Sequence, residues 1–406
     1  MDSLITAAAR SLSAGDPLVA LKRVALREDA PALALRGIAL AQLGELAEAK
    51  TLLRRGARAF GSREPLARAR CLLAQAEVAL VLRELGEPLR ALDEAQATLG
   101  TQGDWINACH AGYLKARSLL LIGRLDEAET VLERLDPGAL PAASRAGAWL
   151  VAAGIAMRRI KARLACAALG HAEKAARQTG IPALIAEVEN AIHAFKAPAG
   201  RLLANGKERV LGLDEVETLL ASDTLIVDAS RNCVRSGRTI VSLSSRPVLF
   251  ALARLLGEVW PDDVARKTLI IRAFRAREAD ESHRARLRVE IGRLRSELGT
   301  LAEIRATERG FVLHRPGARE VAVLAPPQED EHGDILALLA DGEAWASSAL
   351  ALALNVSPRT VQRALDTLAA TGKVESLGRG RASRWMARRV PGFPTSLLLP
   401  APLPPG

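Results

Sequence analysis

The stretch that most limits what this chain can become runs from Ser282 to Leu313, SHRARLRVEIGRLRSELGTLAEIRATERGFVL. It predicts a helix followed by a β-hairpin. Ser282 stands where an N-cap belongs, and Gly299 stops the helix after Leu298. At about 100° per residue, Leu287, Ile291, Leu294 and Leu298 share one stripe, as on a helix pressed against a core. Arg286, Val289 and Arg293 then lie on the far side, and Arg284, Arg288 and Arg295 on a shoulder between the faces. Ile304 to Thr307, a Glu308-Arg309-Gly310 turn, and Phe311 to Leu313 make a short hairpin with an arginine at its tip. A bland reading exists: a solvated surface helix whose arginines pair with Glu290 and Glu297.

The preceding chain weighs against it. Leu225-Ile226-Val227 and the segment Arg231 to Ser242, turning at Ser236-Gly237-Arg238, predict short strands. Ser245 and Pro247 open a helix over 247–257, with Leu249, Leu252, Leu255 and Leu256 on its apolar face. A second helix is expected over 266–277. In this arrangement residues 222–315 resemble the OmpR/PhoB-type winged-helix DNA-binding domain. Arg293-Leu294-Arg295 falls seven residues after Arg286, Gly310-Phe311 stands where the family has Gly-Tyr, and Thr224 to Ser245 occupies the place of its leading strands. Two departures are Arg288, where an Asp is common, and Glu290, near the DNA face. The resemblance implies that Arg284, Arg286, Arg288, Val289, Arg293, Arg295, Thr307 and Arg309 meet DNA. Arginine pairs bidentately with guanine, and a small apolar side chain can touch a thymine methyl. Arg309 would enter an adjacent minor groove.

Residues 1 to about 200 predict helix throughout, with internal repeats. Leu43-Gly44-Glu45-Leu46-Ala47-Glu48-Ala49 recurs as Leu85-Gly86-Glu87-Pro88-Leu89-Arg90-Ala91 and as Ile122-Gly123-Arg124-Leu125-Asp126-Glu127-Ala128. A degenerate fourth copy falls near Ile160 to Ala165. Glycine accepts the left-handed conformation that ends one helix, and alanine lets two helices approach. The LG-x-x-x-EA core resembles the tetratricopeptide repeat, which implies stacked helix pairs and a concave surface for a protein, peptide or small ligand. The aromatic residues usual in that repeat are mostly Leu or Ala here.

Residues 197–221 mix Pro, Gly and charge and are expected to be a junction. Arg315 to Glu331, with Pro316, Pro326, Pro327 and the acidic run Glu329-Asp330-Glu331, is expected to be a second linker, the alternative being that Val321 to Leu324 pairs as a strand. Beyond it, Asp334 to Ala340, Ser347 to Leu354 and Pro358 to Thr371 predict helices. Ser357 caps the third, with Pro358 at its first position. Val374 to Leu377 and Ser383 to Met386 flank a basic Gly-Arg-Gly-Arg turn. LALALNVSPRTVQRALDTLAATGKV resembles a winged helix-turn-helix of bacterial regulators. That resemblance implies DNA contacts from Ser357, Arg359, Thr360, Gln362, Arg363, Arg379 and Arg381. The Pro- and Leu-rich tail, 390–406, is expected to be disordered.

The expected fold is therefore mainly α: an N-terminal α-solenoid over 1–200, then winged-helix domains over 222–315 and 332–389. Net charge is +10 and the pI about 10, which favours a polyanionic partner. The excess is concentrated, with 19 Lys/Arg against 13 Asp/Glu over residues 222–320 and 29 against 25 over the first 221. Cys71, Cys109, Cys166 and Cys233 have no C-x-x-C spacing, so free thiols in a reducing, cytoplasmic setting are expected. No apolar run spans a bilayer, and no leader pattern opens the chain. Phosphate-loop, zinc-protease and serine-hydrolase motifs are missing, the six histidines are scattered, and no enzyme, cofactor or metal is expected. The expected function is a sequence-specific transcriptional regulator on double-stranded DNA, with room for a homodimer. The competing reading is an adaptor that uses repeats and winged helices to dock proteins.

Overall fold

The computed structural model describes residues 2–82, 84, 88–135, 140–243, 245–274, 276, 278–315, 320–327, 332–339, 345–354, 356–377 and 383–387. The chain is mainly helical, with its strands in the C-terminal half. Two compact units form. The first takes the chain through Arg159, Leu164–Ala194 and the described residues from Asp334 onward; the second takes Ile160–Arg163 and Phe195–Gly333.

The first unit begins with α1 (Ser3–Ser13), α2 (Pro17–Val24), α3 (Ala30–Gln42), α4 (Leu46–Phe60), α5 (Pro65–Val81) and α6 (Pro88–Thr101). It continues with α7 (Trp105–Leu121), α8 (Leu125–Glu133), α9 (Ala142–Arg158), α10 (Ala162–Thr179) and α11 (Pro182–Lys196). Asp2, Asp16, Asp29 and Asp104 cap α1, α2, α3 and α7, each carboxylate accepting an N–H of the first turn that has no helical partner. From α3 to α8 each helix packs on the next, and α7 also packs on α5 and α9. The repeated glycines do what the sequence asks of them. Gly44 has φ +88° and Gly123 φ +82°, and the following residues, Glu45 and Arg124, each donate back to the preceding helix at 2.9 Å. Gly86 lies outside the described residues. At the fourth copy, Ile160 holds the same left-handed conformation with φ +55°, which a β-branched side chain rarely adopts.

The second unit opens with β1 (Gly200–Ala204), β2 (Lys207–Leu211), α12 (Leu213–Ala221), β3 (Leu225–Asp228), β4 (Cys233–Ser236) and β5 (Thr239–Ser242). After these come α13 (Pro247–Val259), β6 (Val264–Ala265), α14 (Arg266–Phe274), α15 (Glu281–Leu298), β7 (Glu303–Ala306), β8 (Gly310–His314) and β9 (Val321–Ala325). One sheet has the order β2-β1-β9-β3-β4-β5, with β9 parallel to β3 and antiparallel to β1. A smaller sheet has the order β6-β8-β7.

Both expected linkers are structured, which corrects the sequence reading. The 197–221 segment supplies β1, β2 and α12, and the 315–331 segment supplies β9 between β1 and β3. All five residues of β9 are buried. Leu324 joins Leu211, Val216 and Ile226 on one face of the sheet, while Val321 and Val323 pack with Leu252 and Leu256 of α13 on the other. A strand covered on both faces reads as a short unbroken apolar run, without the alternation that marks a half-exposed strand. Burial of each Val or Leu side chain contributes about 1.5–3 kcal/mol.

The C-terminal segment forms α16 (Gly333–Leu339), α17 (Ser347–Leu354), α18 (Pro358–Ala370) and the antiparallel pair β10 (Val374–Leu377) and β11 (Arg384–Ala387). Its apolar residues Ile335, Trp345, Leu350 and Leu365 share a core with Leu73, Leu114 and Leu119 of α5 and α7. The segment expected to stand as a third domain is thus part of the first unit, because its inner face is buried with that of the helices. The tail over 390–406 lies outside the described residues. Among the described residues no helix is long and apolar enough to cross a membrane.

Candidate nucleic-acid interface

α15 carries six of the fifteen residues the sequence singles out. Asp280, not Ser282, is its N-cap, accepting from the His283 N–H at 2.7 Å. That bond holds the Asp280 carboxyl below its ordinary pKa. Leu287, Ile291, Leu294 and Leu298 are all buried, as the stripe requires. Arg284, Arg286, Arg288, Val289, Arg293 and Arg295 are exposed, with Val289 at 53%. Arg286 lies over the Phe274 ring, 4.6 Å from its centre.

On one side of α15, Arg266, Arg284, Arg288 and Arg295 line a groove of about 330 Å³ whose apolar lining is Leu287, Ala306 and Phe311. On the other side, Arg293 and Glu290 face Arg246 and the start of α13 across a second groove of about 440 Å³. Carboxylates are interleaved with the cations. Glu281 lies 3.2 Å from Arg284 and 3.3 Å from Arg288, and Glu290 lies 3.0 Å from Arg293.

The hairpin is held by groups the sequence reading missed. Arg266 donates to the carbonyls of Glu308 at 2.7 Å and Thr307 at 2.9 Å, and lies over the Phe311 ring at 5.4 Å. Gly310 crosses β6 so closely that an added Cβ would come within 1.8 Å of the Val264 carbonyl oxygen, so glycine alone fits there. Thr307, expected to meet DNA, has a structural role instead. Its hydroxyl donates to Asp263 at 2.5 Å and accepts from the Gly310 N–H at 2.9 Å. Arg295 is also partly committed, its Nε donating to the Ile304 carbonyl at 2.7 Å. Arg309 projects from the turn with its side chain 76% exposed and only a 3.7 Å contact to Asp263. The signals were absent from local pattern because Arg266 and Asp263 meet residues about 40 positions later in the chain.

In the first unit, α18 buries Val361, Ala364, Leu365 and Leu368 and exposes Arg359, Thr360, Gln362 and Arg363. Ser357 caps it, accepting from the Thr360 N–H at 3.1 Å, and Gln362 donates to Asp366 at 2.9 Å. Arg379 and Arg381 lie outside the described residues. The structure therefore divides the expected contacts between two units, with Arg284 to Arg309 in one and Ser357 to Arg363 in the other.

His110, read from sequence as incidental, bridges three helices. Its Nε2 lies 3.0 Å from Glu77 of α5 and its Nδ1 3.2 Å from Ser144 of α9. The order resembles a hydrolytic triad, yet the three residues are 1%, 3% and 6% exposed, so no substrate reaches the hydroxyl. The set ties α5, α7 and α9 together. Among the described residues, no group of three or more His, Cys, Asp and Glu is placed to hold a metal ion. Compared with protein-family models, with curated proteins and with solved structures, the chain matches none.

Proposed function

We propose that the protein is a sequence-specific transcriptional regulator that binds double-stranded DNA through α15 and the β7–β8 hairpin, acting as a winged helix. The observation that carries this reading is the division of α15. One stripe is buried, and the opposite surface holds Arg286, Val289 and Arg293 beside the arginine-lined groove and Arg309. A helix of about 10–12 Å diameter fits a major groove about 12 Å wide, where arginine and a small apolar side chain can both read base edges. The groove arginines suit the phosphate backbone, which positions the protein without specifying sequence. The glycine-turned helix pairs support a tetratricopeptide-type solenoid as the input domain, sensing a protein, peptide or small ligand. Selection from a random duplex pool, followed by gel shift on the enriched fragments, tests this. Enrichment of one motif is expected; retention of no sequence above the starting pool overturns it.

A second reading has its own observation. Trp345, Leu350 and Leu365 share a core with α5 and α7, which favours protein docking for the C-terminal winged helix. In that reading the chain is an adaptor. Footprinting distinguishes them: no protection on any enriched duplex supports the adaptor, whereas protection confined to one site of α15 size keeps the DNA-binding reading and leaves only α18 to a protein partner.

A further inference from the structure

Two of the four arginines of the α15 groove, Arg284 and Arg288, are already occupied, by a carboxylate from the same helix. Glu281 sits in the first turn, and its two oxygens are divided between two cations. Oε2 lies 3.2 Å from Arg284 Nη1, and Oε1 lies 3.3 Å from Arg288 Nη2. All three side chains are more than half exposed, so the pairs are weak and open to exchange. Two acceptor oxygens set between two guanidinium groups also describe a phosphodiester seated in the same place.

We propose that Glu281 is an internal stand-in for a DNA phosphate, which lowers affinity for duplex of any sequence. This rests on the DNA-binding reading of α15. A phosphate that takes the two donors facing Glu281 displaces the carboxylate and bears its repulsion. That cost is the same on every sequence, and base contacts by Arg286 and Arg293 on a fitting site outweigh it. The bland role for Glu281 is to stabilise the positive end of the helix, as acidic residues there commonly do.

The experiment compares Glu281→Gln with Glu303→Gln in the full chain, on a duplex enriched by selection and on a random-sequence duplex, across a salt series. Glu303 pairs with Arg305 at 2.9 Å outside the groove, so its substitution makes the same charge change elsewhere in the unit. Glu281→Gln is expected to bind both duplexes about three- to tenfold more tightly. Its salt slope should steepen by up to about 1. In an Arg284→Ala/Arg288→Ala background the same substitution should change nothing. Equal gains from Glu281→Gln and Glu303→Gln would reduce the effect to net charge and overturn the proposal. So would no gain from Glu281→Gln when the unsubstituted chain binds. Loss of helix in Glu281→Gln, seen by circular dichroism with weaker binding, would assign Glu281 to helix stability alone. If the unsubstituted chain binds neither duplex, the DNA-binding reading itself fails, which is a separate result.

Discussion

Arg384 of β11 and Glu84, which follows α5, form an ion pair at 2.9 Å across 300 residues of chain. The second oxygen of Glu84 takes the ammonium group of Lys50, so one carboxylate joins α4 to the C-terminal strands. Its side chain is 31% exposed and that of Arg384 20%. Glu84→Ala removes the partner of two cations in a partly shielded place, and should cost about 1–2 kcal/mol. Amide hydrogen exchange over α17 and α18 reads this directly. Unchanged protection there would mean that the apolar core, not the ion pair, holds the C-terminal segment.

Arg293 and Arg295, two residues apart, should behave differently when truncated. Arg293 is itself mostly exposed, so Arg293→Ala should relax sequence preference and cost about 1–3 kcal/mol of DNA affinity. Arg295 donates to the Ile304 carbonyl, so Arg295→Ala should also lower thermal stability, by about 1 kcal/mol. Selected-site gel shifts and melting curves on both variants separate the roles. A melting curve for Arg295→Ala unchanged from that of the parent chain would show that the Arg295 bond does not hold the hairpin.

His110→Leu should be among the most damaging changes in the first unit. It takes a buried partner from both Glu77 and Ser144, and leaving a buried polar group with such a hydrogen bond unmade costs about 1–3 kcal/mol. The double change Glu77→Leu/His110→Leu should recover part of that loss, since both ends of the Glu77–His110 hydrogen bond are then removed together. Urea denaturation of the three chains provides the cycle. A double variant no better than His110→Leu would mean that cavity and shape effects dominate.

Ile160 offers a test of backbone strain. Its side chain packs against the core of Leu211, Val216, Ile226 and Leu324, while its backbone holds φ +55°. Ile160→Ala loses the packing and keeps the strain; Ile160→Gly loses the packing and relieves it. Glycine should therefore be at least as stable as alanine here, reversing the usual preference of about 0.5–1 kcal/mol for alanine. A chemical-denaturation ranking of Ala above Gly by that margin would show no strain at this position.

The sequence by itself determined the elements whose information is local. The stripe Leu287, Ile291, Leu294 and Leu298 predicts the buried face of α15, and the structure buries those residues. Gly44, Gly123 and Gly299 end helices because only a left-handed residue turns the chain there. Ser357 and Pro358 start α18 for reasons contained in the first helical turn. Tertiary structure decided the rest. β9 lies between β1 and β3 because helices cover both faces of the sheet, a circumstance that no periodicity in VAVLA can express. Thr307 and Arg295 look like free polar groups until Asp263 and the Ile304 carbonyl are placed beside them. His110 acquires its partners from residues 33 and 34 positions away, and Arg384 from one 300 positions away. Spacing along the chain records which side chains share a face of one element, whereas a contact between elements depends on how all of them pack.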